Sequence, residues 1–192
     1  MKVTAGLLGA VLLLSACGTT PAGPPPSQNL RPVEAVTSAP GADPAVVRWT
    51  DGFCSAVHGY RERTNREAGP QQPTPTSIAE SKKALSVTLG GIAARTGETA
   101  DKLAALPPAP VPLGDTVRQA FVTKFTKARD RAAGAKDELD RAKPDNTAAQ
   151  DRAGQALFQA QQDVDGTYDP VGAMAASPEL MLAAATAPGC KA

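Results

Sequence analysis

Prolines punctuate this chain, and their placement limits its fold more than any other feature. The chain has 18 prolines, and beyond residue 43 they fall at 44, 70–75, 107–112, 144, 170, 178 and 188. A proline inside a helix removes a hydrogen bond and clashes with the preceding turn, at a cost of about 3 kcal/mol. Helices must therefore begin and end at these fences. Between the fences, apolar residues return every three or four positions, and no stretch shows the alternation of a strand.

Asp43-Pro44 reads as a helix start, a capping side chain followed by proline at the first helical position. Val46, Trp49, Phe53, Val57 and Tyr60 then form one apolar face through about Arg63. Gly69-Pro70 closes this run, and residues 71–76 form a linker. Ser77 and Glu80 make a capping-box pattern for a second helix. Its seam runs Leu85, Leu89, Ile92, Thr96, Thr99, Leu103 and Leu106, in the four-three steps of a heptad. Gly90-Gly91 sits inside it and predicts a bend or a close approach by another helix. A proline-rich loop over 107–114 leads to Asp115 as the expected third cap. Phe121, Phe125, Ala128, Ala132, Ala135, Leu139 and Ala142 form the third seam. Asn146 caps a fourth helix, with Ala149, Ala153, Leu157, Ala160, Val164 and Tyr168 on one face. Ser177-Pro178-Glu179 opens a short last helix, which Pro188-Gly189 closes. Aromatics are only 4% of the chain, so alanine must fill much of the core and let helices pack closely. The expected fold is all-α: a bundle of four main helices plus a short C-terminal one over 44–192.

The start of the chain has a different character. Met1-Lys2 is a short positive region, and the apolar stretch Val3 to Leu14 follows. It is too short to span a bilayer, which takes ~20 residues, but fits the core of a secretory signal. Leu14-Ser15-Ala16-Cys17 then resembles the lipobox of bacterial lipoproteins: an aliphatic residue, two small residues and a cysteine. The resemblance implies a diacylglyceryl thioether on Cys17, cleavage between Ala16 and Cys17, and anchoring at the extracytoplasmic face of the cell membrane. Residues 1–16 are then the signal peptide. Residues 17–43 are a lipidated cysteine with a flexible Pro/Gly/Thr-rich tether, too polar and aperiodic to pack. Pro24-Pro25-Pro26 stiffens that tether locally.

The chemistry-bearing residues are few. Loss of Lys2 leaves the mature chain with 19 basic and 19 acidic side chains, so no overall field steers it onto nucleic acid. With Cys17 lipidated, Cys54 and Cys190 remain, and an even pair in an exported chain suggests a disulfide, with free thiols or intermolecular pairing as the alternatives. His58 is the only histidine. A single histidine is a poor basis for a metal site, so it reads as a surface or boundary residue. A hydrolase built on His58 would need a nucleophile and a carboxylate brought to it by the fold. The third helix carries a basic stripe with interleaved acids, including the pairs Lys136/Asp140 and Asp137/Arg141. The fourth is acidic, so the two should complement each other along a shared edge. The seven aromatics read as core, and Thr96 and Thr99 as polar seam positions that either set register or face a cavity.

Trp49 with Phe53-Cys54 in an early helix, and Pro188-Gly189-Cys190 at the end, resemble the small exported proteins and lipoproteins of actinobacteria. That resemblance implies no activity. The sequence leads to an expectation of a non-enzymatic envelope module, without cofactor or metal, binding a protein or polymer partner. The alternatives are a binder of a small apolar ligand or lipid within the bundle, and an envelope hydrolase using His58.

Overall fold

A computed structural model describes residues 41–67 and 74–191. The expected signal peptide, Cys17 and nearly all of the expected tether lie outside the described residues, as do the expected close at Gly69-Pro70 and the first half of the linker. Five α-helices follow in order: α1 (Pro44–Glu67), α2 (Ile78–Ala104), α3 (Pro112–Arg141), α4 (Thr147–Asp163) and α5 (Pro178–Thr186). Two 3-10 turns, Gly172–Met174 and Pro188–Cys190, flank α5. There is no strand among the described residues, and the architecture is the all-α bundle that the periodicity predicts.

Local chemistry explains most boundaries. Asp43 accepts a hydrogen bond from the Ala45 amide at 2.7 Å, so the expected cap opens α1. The helix runs one turn beyond Arg63, because Thr64 to Glu67 contain nothing that stops a helix. Ser77 caps α2 through the Glu80 amide, while the Glu80 carboxylate reaches back chiefly to the amide and hydroxyl of Thr76. Those two Thr76 hydrogen bonds hold the Glu80 carboxyl below its ordinary range. Asn146 and Ser177 cap α4 and α5 by accepting from Ala149 and Leu180.

Two boundaries differ from expectation. α3 begins at Pro112, with Val111 rather than Asp115 at the cap. Proline's fixed φ suits the first helical position, so the start moves ahead of the acid. Asp115 lies in the first turn, where it accepts from the Ala109 amide at 3.1 Å and pairs with Arg118 at 2.9 Å. α4 ends at Asp163 instead of running to Tyr168. Gly166 takes a positive φ of 73°, which turns the chain out of helical register. Val164 remains buried beyond the helix end, but Tyr168 is half-exposed.

The α2–α3 hairpin forms the largest interface and α3–α4 the next, with α1 packed against α2 and α5. α2 is continuous through Gly90-Gly91. The close approach comes from side chains: a Cβ at Gly90 would lie 3.2 Å from Lys136 Cε, and one at Gly97 would lie 3.1 Å from Arg129 Cδ. Two glycine notches, one heptad apart, thus receive the aliphatic stems of two basic residues while the charged heads stay in water. The pairings run in opposite directions along the two chains, so the helices are antiparallel. Lys82 completes this edge, donating to the carbonyls of Asp140 and Ala142 at the end of α3.

The core is aromatic between α1 and α3. Trp49 stacks on Phe53, and Phe53 meets Phe121 edge-on at 5.1 Å. Tyr60 meets Phe125 in the same way at 5.0 Å. Between α3 and α4 it is alanine-lined, with Ala128, Ala132, Ala149, Ala153 and Ala160 buried. Not every aromatic belongs to it, since Phe158 is 60% exposed.

Cys54 and Cys190 form a disulfide with a Cα–Cα distance of 5.0 Å. The final turn lies flat on α1, where the Gly189 amide donates to Asp51 at 2.6 Å. A side chain at Gly189 would collide with Ser55 and the Asp51 backbone, so only glycine allows this approach. In the chain-entropy model, a loop this long stabilises the fold by about 5 kcal/mol.

Candidate functional site

The polar residues singled out from sequence occupy very different places. Thr96 and Thr99 are both buried. The Thr96 hydroxyl donates to the Ile92 carbonyl of its own helix at 2.7 Å. Thr99 does the same to Arg95 at 2.9 Å, and in addition accepts from Arg63 at 3.3 Å. Thr96 is therefore satisfied within α2, whereas Thr99 belongs to a cluster that spans two helices.

His58 is buried, at 7% exposed, rather than lying at the surface. The final turn covers it: a cleft of about 310 Å³ beside it is lined by Ser55, Gly59, Glu62, Gly189 and Lys191. Its Nδ1 is buried without a hydrogen-bond partner among the described residues. Ser55 and Glu62 lie one turn away on either side along α1, yet neither is hydrogen-bonded to the imidazole. A general base is effective when another group fixes its tautomer and orientation. No such link orients His58.

The complementary edge expected between α3 and α4 is present. Asp163, with a side chain only 8% exposed, pairs with Lys127 at 2.8 Å and Arg131 at 2.7 Å. Burial pushes its carboxyl upward, but the hydrogen bonds and charges of Arg131 and Lys127 outweigh this and hold it below the usual range. Arg152 pairs with Glu138 at 2.7 Å across the same edge. Lys136 pairs with Asp140, so much of the basic stripe is neutralised within the fold.

The arrangement that stands out lies where the C-terminal half of α1 faces the middle of α2. Tyr60, Thr64 and Glu67 continue the three-four rhythm of the α1 seam after it has turned polar. From α2, Arg95 presents a side chain only 13% exposed. Its guanidinium pairs with Glu67, which is 52% exposed. One helical turn earlier on α1, Arg63 pairs with Glu98 at 3.1 Å, and Glu98 is shared with Lys102 at 2.7 Å. Three cations thus face two carboxylates. Burial disfavours the charged form of Arg95 and lowers its pKa, and the neighbouring Arg63 acts in the same direction. Burial also pushes the Tyr60 phenol up to about 12, with the nearby Tyr168 adding to the shift.

This edge is incompletely satisfied. Arg63 Nε and Arg95 Nε are buried without hydrogen-bond partners among the described residues. A buried polar group left unpaired costs about 1–3 kcal/mol, so each such group calls for an explanation. The cluster opens onto a cleft of about 380 Å³, lined by Thr64, Glu67, Thr88, Ile92, Arg95 and Gln161. Sequence reading passed over Arg95 and Arg63 because charged residues on a helix normally face water. The available signal was the seam of α1 keeping its period while turning polar.

No family model matches the chain, and no curated protein or solved structure is detectably similar to it.

Proposed function

We propose that this chain is a lipoprotein of the cell envelope, held at the extracytoplasmic face of the cell membrane by lipid on Cys17. Its bundle serves there as a binding module for an envelope protein or polymer rather than as an enzyme. One observation carries the placement. Of the three cysteines, Cys54 and Cys190 are paired, which leaves Cys17, in its lipobox-like setting, as the thiol available for acylation. A disulfide is also the cross-link expected of an oxidising compartment. No helix among the described residues is long and apolar enough to cross a membrane. Two or three acyl chains provide stable attachment without one, each buried CH₂ contributing ~0.8 kcal/mol.

The test is the Cys17→Ser variant in the native host or a close relative. The wild-type chain should partition with membranes, and its N-terminal peptide should carry the mass of a diacylglyceryl group on Cys17. The variant should lack that mass and resist cleavage before residue 17. An unmodified Cys17 in the membrane-fraction protein would refute the anchor.

A second reading, that the module holds a small ligand, is favoured by the cleft at Arg95. Among the described residues, Arg63 and Arg95 keep guanidinium nitrogens without partners beside an open cleft, and that combination supports this reading.

A further inference from the structure

We propose that the Arg95 cleft binds an amphiphilic carboxylate, a single carboxylate head on a short aliphatic body, and that Glu67 occupies the head position until the ligand arrives. This rests on the ligand-binding reading of the cleft and is independent of the lipid on Cys17.

The head position follows from charge and exposure. Arg95 is the largely covered member of its pair and Glu67 the half-exposed one. An exposed carboxylate on a long side chain contributes little net stability, because it gives up hydration and rotamer freedom to hold the contact. It is therefore easily exchanged for another carboxylate that fits the same fork. Arginine's planar donors match carboxylate geometry in pairs, which favours this head group over a bulkier one. The surplus in the cluster is one positive charge: Arg63, Arg95 and Lys102 against Glu67 and Glu98. A monoanion displacing Glu67 into water leaves the charge balance of the cluster unchanged. Thr64 and Thr88 supply hydroxyls at the cleft wall.

The body position follows from the shape of the surface beyond the head. Val87 is 57% exposed and lines the Arg95 cleft. It also lines a second cleft of about 360 Å³, with Pro75, Thr76, Glu80, Lys83 and Ala84. The two clefts therefore share Val87 as a common wall, and Pro75 and Ala84 extend the apolar surface away from Arg95. A chain of several methylenes laid from Ile92 over Val87 towards Ala84 would bury this side chain. Each methylene removed from water contributes about 0.8 kcal/mol. Neither head nor body alone would gain enough to bind well.

The test is calorimetric titration of the full chain as purified from the native host, held in phospholipid nanodiscs if it carries lipid and in buffer if it does not, with the matching blank subtracted. Octanoate is the probe, acetate the head-only control and octanol the tail-only control. Octanoate should bind saturably and at least tenfold more tightly than either control. Arg95→Met should weaken octanoate at least tenfold. Glu67→Gln removes the competing carboxylate while keeping its shape, and should tighten octanoate severalfold. This second variant alters an exposed side chain, so it remains informative if Arg95→Met fails to fold. Octanoate binding no better than its controls in both the wild type and Glu67→Gln would overturn the proposal. So would octyl phosphate binding where octanoate does not, or tight octanoate binding unaffected by Glu67→Gln. None of these outcomes bears on the lipid at Cys17, which the Cys17→Ser variant tests separately.

Discussion

The two long edges of the bundle each bury a charge, with opposite polarity. Between α3 and α4 the buried group is a carboxylate, Asp163, and the cations Lys127 and Arg131 reach it from more exposed positions. Between α1 and α2 the more covered group is a cation, Arg95, and its carboxylate, Glu67, stands half in water. Asp163 takes a partner on each oxygen. Arg95 and its neighbour Arg63 keep buried nitrogens without one among the described residues. A charge saturated by the fold has a structural role. A buried charge held by one exchangeable partner is open to a competitor.

The sharpest way to separate the edges is to remove the disulfide. Replacing Cys54 and Cys190 together by alanine should cost roughly 2–5 kcal/mol in a urea titration. The loss should be uneven. α1 is the helix tied by the bridge, so its amides should exchange hydrogen faster under native conditions. Amides along α3 and α4 should stay protected until global unfolding. Equal acceleration at both edges would show that they do not depend on separate supports.

Asp163→Asn should cost less, about 2 kcal/mol near neutral pH, because it removes hydrogen bonds to a charged group. The pH dependence has a definite sign. The folded carboxyl titrates below its unfolded value of about 3.9, so its contribution is full above that value. It is lost as pH falls through the folded value. The stability gap between wild type and variant should therefore close below about pH 4. A gap that persists at pH 2 would mean that the side chain acts by packing instead of charge.

Glu67→Gln should have the smallest effect, within about 0.5 kcal/mol, since its partner contact is half-exposed. A loss as large as that of Asp163→Asn would make the Glu67–Arg95 pair structural and erase the distinction between the edges.

Much of this fold was written in the sequence, and the exceptions have physical causes. Asp43, Ser77, Asn146 and Ser177 announced four helix starts because a short polar side chain before an apolar run has few other roles. Asp115 misled because Pro112 was a better first residue. Val164 and Tyr168 keep the α4 rhythm, but periodicity does not register a backbone turned at Gly166. Phe158 is apolar and exposed, which only its neighbours in three dimensions could decide. The Cys54–Cys190 pairing was legible from cysteine count and expected compartment. The Arg95 cluster was not, because burial of an arginine depends on which helix faces it, and the aromatic core that sets α1 against α3 fixes that orientation.

The disulfide also sets how the domain would bear load. A pull delivered along the residues ahead of Pro44 enters at the first turn of α1 and meets a covalent cross-link at Cys54. The turns before Cys54 could peel away, but past that point the tension passes into the chain's end as well as into the helix. With Gly189 seated on Asp51, that end lies against the same face of α1. A domain pulled from that side would thus yield by a few turns and then hold, keeping α1 and everything packed on it in place.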